Sequence, residues 1–380
     1  MPIVTSVEDL RILARKRVPK MFYDYADSGS WTEATYRKNE SDLQAIELRQ
    51  RVAVDVGSRS TEATMLGRKV AMPVALAPTG LAGMQHADGE ILAARAAEEF
   101  GVPFILSIAS ICSMEDVAAH TKAPFWQQIY LMRDRGFIRS LMGRAHALGC
   151  PVLVLTVDLP IIGDRHKDAR NGLSAPPKLT AKNILNMAMH PRWCMGMLGT
   201  RRHSLGNIVG HVNGVASMET LAEWSAKQFD PTFTWTDVQW VRDNWSGQLV
   251  IKGILDSEDA LIAANMGVDA IVVSNHGGRQ LDGASSTIRM LPLIADAVKS
   301  KTEIWMDSGI RSGQDVVKAC ALGATGTLIG RPFLYGLGAQ GQAGVQRCLE
   351  IIQRELQLTM AFTGCVDISQ LSEEIVMPKR

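Results

Sequence analysis

Short apolar runs recur along this chain, and after each the apolar residues return at helical intervals. The runs lie at 74–77, 104–106, 125–129, 152–157, 249–251, 270–273, 303–306 and 326–329. Runs of this length bounded by polar or glycine residues predict buried strands, and their alternation with helices predicts βα units on a parallel sheet. Eight such units match, in number and order, an α/β fold of the (β/α)8 TIM-barrel type. A doubly wound open sheet is the alternative. It would carry a glycine-rich phosphate turn after its first strand, and none stands there. A helical stretch near 7–24 precedes the first unit, and a long insertion at about 160–235 comes after the fourth strand. The expected organisation is therefore one barrel over 1–380 with an N-terminal helical segment and one insertion.

The polar residues that end each run add chemistry. In order these are Thr79, Ser107, Gln128 with Tyr130, Thr156 with Asp158, Lys252, Ser274 with His276, Asp307 with Arg311, and Gly330 with Arg331. In a barrel all eight ends converge on one face, where active sites of this fold lie. The richest block is Ile271-Val272-Val273-Ser274-Asn275-His276-Gly277-Gly278-Arg279-Gln280-Leu281-Asp282-Gly283. His276 can move a proton near neutral pH, and Arg279 can hold a carboxylate with a two-pronged fork. A base beside an anion clamp points to chemistry at the carbon next to a carboxylate. Asp158 facing His276 would fix its tautomer; the alternative is a helix cap.

Two further features concern charge. Lys252 comes after an apolar strand and needs an anion, which a cofactor that becomes negative during turnover would supply; a Schiff-base lysine of an aldolase is the alternative. Strand seven ends Asp307-Ser308-Gly309-Ile310-Arg311-Ser312-Gly313 and strand eight ends Gly330-Arg331-Pro332. Barrels often bind phosphate between these two loops. Asp307 would repel phosphate and suits the hydroxyls of a sugar or ribityl chain. The string Gly336-Leu337-Gly338-Ala339-Gln340-Gly341 spells GxGxxG, but it lies inside a helical pattern and not directly after a strand, so it reads as packing glycine.

Composition narrows the classes. Of 380 residues, 46% are hydrophobic and 21% charged, and the formal net charge is +1, so no global field calls for nucleic acid. The six cysteines form no CxxC pair, and neither a disulfide frame nor a metal site is expected. Without a signal pattern or an apolar run of roughly 18 residues, the expectation is a cytoplasmic protein. The segment 180–203 mixes Met and Trp with basic residues. It reads either as a peripheral contact with the inner face of the cell membrane or as a lid packing on the protein itself or on a neighbouring subunit.

Taken with Tyr23-Asp24-Tyr25, Ala77-Pro78-Thr79-Gly80, Thr156-Val157-Asp158, Lys252-Gly253 and Asp307-Ser308-Gly309-Ile310-Arg311, the block around His276 resembles the FMN-dependent α-hydroxy-acid oxidising family. That family includes glycolate oxidase, mandelate dehydrogenase and the L-lactate dehydrogenases. The bacterial L-lactate enzymes are nearest, through residues 250–256 and the tryptophans near 240. The resemblance spans nearly the whole chain. It implies FMN with Pro78, Thr79 and Gly80 along the flavin edge, and Ser107, Gln128 and Thr156 bonded to the ring. Lys252 would face the anionic reduced ring. Ser274, Asp307, Gly309, Arg311, Gly330 and Arg331 would hold the ribityl phosphate. Tyr25 and Arg279, helped by Arg165, would clamp a substrate carboxylate, and Tyr130 would meet its hydroxyl. His276, oriented by Asp158, would be the base.

The implied reaction is oxidation of an (S)-2-hydroxy acid, L-lactate first, with electrons passed to a quinone or cytochrome by a homotetramer. Gly80 stands where oxidases of the family tend to carry alanine, which favours a dehydrogenase over an oxygen-using oxidase. Ala109 stands where glycolate oxidase has a bulky aromatic, so longer or aromatic acids such as mandelate stay open. A Schiff-base aldolase and a non-catalytic phosphate-binding barrel are the readings from other classes.

Overall fold

Eight parallel strands form the centre of the molecule: β1 (Val74–Leu76), β2 (Ile105–Leu106), β3 (Trp126–Tyr130), β4 (Val152–Thr156), β5 (Gln248–Ile254), β6 (Ala270–Val273), β7 (Glu303–Met306) and β8 (Gly326–Ile329). Each pairs with its successor from β2 onward, and β8 pairs with β1. A bridge between Leu76 and Phe104 brings β1 against the start of β2 and closes the ring. The computed structural model describes residues 3–173, 180–212, 214, 215, 224, 227–298 and 301–378. The expected (β/α)8 barrel is the observed fold, and every expected run overlaps its strand.

Side chains alternate across the strands with the two-residue period of a pleated backbone. Val152 and Val154, Val250, and Ala270 and Val272 belong to one buried cluster together with the stacked pair Trp126 and Trp305, whose ring centroids are 5.5 Å apart. Leu153 and Leu155, Leu249 and Ile251, and Ile271 and Val273 belong to the other cluster, with the surrounding helices. This places the first set inside the barrel and the second under the helical layer. A small hairpin, Ala63–Met65 with Arg68–Val70, covers the strand starts. There Leu66 N donates to Glu303 Oε1 at 2.9 Å, and Gln248 Nε2 donates to Leu66 O. The opposite rim stays available for chemistry.

The N-terminal helical stretch is two helices, Val7–Arg17 and Lys20–Ala26, not one. Pro19 disfavours helix at the residue before it, and Val18 is extended. The break turns the second helix toward the functional rim.

In the insertion, Ala181–Ala188 and Pro191–Gly199 form short helices. Their inner side docks: Trp193 Nε1 donates to Met84 O at 2.9 Å and its ring stacks on Phe22. Arg202 bridges Asp88 and Asp116 at 2.9 and 2.8 Å. Their outer side leaves Ile184, Leu185, Met189, Met195 and Leu198 exposed. The GxGxxG string lies at the end of helix Arg331–Gln340, and a Cβ at Gly336 would come 2.4 Å from Gly344 O. Close helix packing explains that glycine.

Candidate active site

The C-terminal ends of the strands surround a cavity of about 240 Å³. Pro78, Thr79, Gly80 and Ser107 line one side, after β1 and β2. Lys252 comes from β5, and His276 and Arg279 from the loop after β6. Asp307, Gly309 and Arg311 come after β7, and Gly330 and Arg331 after β8. Tyr130, Arg165 and Tyr25 complete the set; Tyr25 is delivered by helix Lys20–Ala26.

Four expected residues do not line the cavity but brace those that do. Gln128 Oε1 accepts from Ser107 Oγ at 3.3 Å and Ile108 N at 3.2 Å, while its Nε2 donates to Thr156 Oγ1 at 3.1 Å. Ser274 Oγ accepts from Lys252 Nζ at 2.9 Å and from His276 N at 3.1 Å. Its hydroxyl therefore stands at the Lys252 side of the site. Asp158 Oδ1 lies 2.9 Å from His276 Nδ1.

That last contact dictates what the imidazole can do. With Nδ1 engaged by a carboxylate, Nε2 is the nitrogen left to exchange a proton, and the Asp158 charge stabilises the imidazolium. Burial works to raise the Asp158 pKa, but the charges of His276 and Lys252 outweigh it and hold the carboxyl below its ordinary value. Asp158 does not act as a helix cap. The backbone makes room for it: β5 carries a register shift between Lys252 and Ile254, and Gly253 there has φ +108°. A Cβ at Gly253 would sit 2.7 Å from Asp158 Cβ. His276 itself has φ +56°, in the left-handed region that non-glycine residues adopt uncommonly.

Lys252 has a partner within the protein. Its Nζ lies 2.8 Å from Asp307 Oδ2, so the fold itself supplies an anion to this lysine beside whatever a cofactor would add. Burial alone would lower its pKa; Asp307 and Asp158 raise it above the ordinary value. A Schiff base needs the free amine, so this lysine is a poor aldolase nucleophile. Asp307 Oδ1 also accepts from Ser308 Oγ at 2.7 Å.

The cavity is strongly cationic. Arg165, Lys252, Arg279, Arg311 and Arg331 line it, and among the described residues Asp307 alone lines it with a carboxylate. Arg279 is enclosed, with its guanidinium 4.8 Å above the Tyr25 ring. Burial and then Arg165 push its pKa down to about 10, still charged at neutral pH and poised to gain from an incoming anion. Arg165 pairs with Asp168 at 2.5 Å. Arg311 Nη2 lies 2.8 Å from Glu40 Oε1, yet neither atom completes a hydrogen bond among the described residues. Buried Arg331 and half-buried Arg311, both beside glycine turns and with donors to spare, fit the phosphate of a cofactor such as FMN.

Sequence reasoning missed the apolar wall of Leu159, Ile162 and Phe229, and Ser308, whose Oγ accepts from Gly277 N at 2.9 Å. Wall residues of this kind carry no chemical signal in a sequence. Phe229 reaches the cavity only because the far end of the insertion folds back over the rim.

A family model described as FMN-dependent dehydrogenase matches residues 14–378. An L-lactate dehydrogenase of Caulobacter vibrioides is 47% identical over 376 residues, 98% of each chain. The crystal structure of a monotopic membrane protein, (S)-mandelate dehydrogenase, superimposes with a TM-score of 0.94 at 37% identity over 100% of both chains. A soluble mutant of the membrane-associated (S)-mandelate dehydrogenase from Pseudomonas putida gives 0.84 at 35% identity, covering 99% of this chain and 100% of that one.

Proposed function

The chain belongs to the FMN-dependent dehydrogenase family, and we propose that it oxidises a small (S)-2-hydroxy acid, L-lactate first, to the 2-keto acid. The observation that carries this reading is one cavity lined by both His276, braced at Nδ1 by Asp158, and the Arg279–Tyr25 anion site. Arg279 and Tyr25 hold the carboxylate, with Arg165 adding charge. Tyr130 meets the substrate hydroxyl; its own hydroxyl is kept protonated by burial and by the neighbouring Asp158, which raise its pKa. His276 Nε2 takes the departing proton, and Asp158 stabilises the cation that results. FMN, when bound, would supply the acceptor for the two electrons and the second hydrogen, a role no side chain can fill.

For the cofactor we assign Arg311, Arg331, Gly309 and Gly330 to the phosphate, with Asp307 near the ribityl chain. Pro78, Thr79, Gly80 and Ser107, supported by Gln128 and Thr156, meet the ring, and Lys252 with Ser274 lies at its charged edge. The whole chain acts as one barrel, its insertion forming part of the cavity wall.

Electrons then leave to a quinone or cytochrome. Peripheral membrane contact through residues 180–203 suits that acceptor, and two observations support it. The outer side of helices Ala181–Ala188 and Pro191–Gly199 is apolar, with Leu198 86% exposed. A relative with the same fold is a monotopic membrane protein. Among the described residues no helix is long and apolar enough to cross a membrane. Replacing Leu185, Met195 and Leu198 together by Ser should lower co-sedimentation with lipid vesicles severalfold and leave turnover with a soluble acceptor unchanged; equal co-sedimentation contradicts the contact. A homotetramer belongs to the same reading on family resemblance, and light scattering of the purified protein checks it.

Gly80 and Ala109 keep one side of the cavity small-chained, so an aromatic 2-hydroxy acid is the second reading. Rates with L-lactate, D-lactate, glycolate and (S)-mandelate, using a soluble quinone as acceptor, separate the two. The reading predicts L-lactate as the fastest substrate and slow reoxidation in air. Fast peroxide release would make the protein an oxidase instead.

A further inference from the structure

The turn formed by residues 25–28 closes helix Lys20–Ala26, and its backbone oxygens hold two arginines that come from different strand ends. Tyr25 O and Ser28 O accept from Arg279 Nη1 at 2.5 and 3.2 Å. Ala26 O accepts from Arg331 Nε at 3.0 Å, and Ser28 O accepts from Arg331 Nη2 at 2.7 Å. One short segment therefore sets the direction of both forks, the one assigned to the substrate carboxylate and the one assigned to the cofactor phosphate.

Asp27, in the middle of that turn, touches neither cavity arginine through a hydrogen bond. Its carboxylate is instead gripped by three tyrosines from three parts of the chain. Oδ1 accepts from Tyr335 at 2.6 Å and from Tyr36 at 3.0 Å; Oδ2 accepts from Tyr23 at 2.9 Å. Arg11 adds a longer ion pair at 3.4 Å, and Lys167 Nζ donates to the Asp27 carbonyl at 3.0 Å. The Tyr36 ring in turn lies under the Arg331 guanidinium, 4.3 Å from its centroid. A carboxylate accepts several donors at once, which no neutral side chain of its size can match.

We propose that Asp27 is a positioning residue, anchoring the 25–28 turn so that Arg331 and Arg279 present their forks to the two anions. It rests on the roles proposed for those arginines in binding FMN and substrate. Two effects of opposite sign make the idea testable. By Coulomb's law alone, a carboxylate near a phosphate site repels the phosphate, so removing its charge should tighten FMN binding. If the carboxylate instead holds the arginines in place, removing it should loosen FMN.

The test dilutes FMN-loaded holoenzyme and reads dissociation from the fluorescence of free flavin. Asp27→Asn should raise the FMN dissociation constant by about tenfold, the equivalent of one charge-assisted hydrogen bond lost at Arg331. The KM for L-lactate should rise as well, with kcat changing less. Tyr36→Phe keeps the ring under Arg331 and deletes one donor, and should move the FMN constant in the same direction by a smaller factor. An unchanged or lower FMN constant in Asp27→Asn, even with a reduced melting temperature, would mean that Asp27 serves the fold alone and would overturn the proposal. Should Asp27→Asn fail to fold, an unmoved constant in Tyr36→Phe overturns it equally. Wild-type protein that never holds FMN sinks the cofactor reading together with this one, whereas loaded wild type with unmoved variants sinks this one only.

Discussion

In the proposed reaction His276 and Asp158 act as a unit, because the 2.9 Å contact at Nδ1 leaves Nε2 as the nitrogen to meet substrate. Replacing His276 by Gln should cut kcat by about 10²–10⁴, the usual weight of a general base, with the flavin spectrum retained. Asp158→Asn should lower kcat with little change in KM, and steady-state rates check both. Asp158 also sets the sign of the pH effect. Its folded pKa is below the ordinary carboxylate value, so its stabilising share is present above about pH 3.9 and is lost as pH falls through the lower folded value. The melting-temperature gap between wild type and Asp158→Asn should therefore shrink on acidification below that point. Arg279→Lys loses the two-pronged fork and should raise KM about tenfold or more. Most of these residues were legible as the polar ends of apolar runs. Asp27 was not: the sequence shows it only as one more polar residue after a helix, and its importance lies in carbonyl groups that any residue at 25, 26 or 28 would supply.

At the scale of elements, the bulge in β5 is the local feature on which the His–Asp pair depends. Gly253→Ala would force a Cβ within 2.7 Å of Asp158 at φ +108°. It should destabilise the fold by about 1–3 kcal/mol and also depress kcat, because Asp158 has to move. Thermal melting and turnover of the same preparation test this; a loss of stability with full activity contradicts it. Strand positions were readable because buried strands of a parallel sheet are continuous apolar runs. The division of the first helix at Pro19 could have been read from the proline itself. The docking of the insertion could not, since Trp193 and Arg202 look equally suited to solvent, membrane or protein until Met84, Asp88 and Asp116 are in place.

Across the whole molecule, a chain of net charge +1 concentrates five cations around one cavity. Composition hides that contrast; only closure of the barrel reveals it, by bringing strand ends as distant in the chain as Thr79 and Arg331 to one rim. Cations in excess of the acids that pair with them favour anionic ligands, and in the proposed function those are a phosphate and a carboxylate together. The most direct test is an absorption spectrum of the purified protein followed by anaerobic addition of L-lactate. The purified protein should be yellow with FMN bound one to one, its visible bands bleaching on mixing in the wild type and persisting in His276→Gln. A colourless protein, or a flavin that no 2-hydroxy acid reduces, would contradict the proposed function.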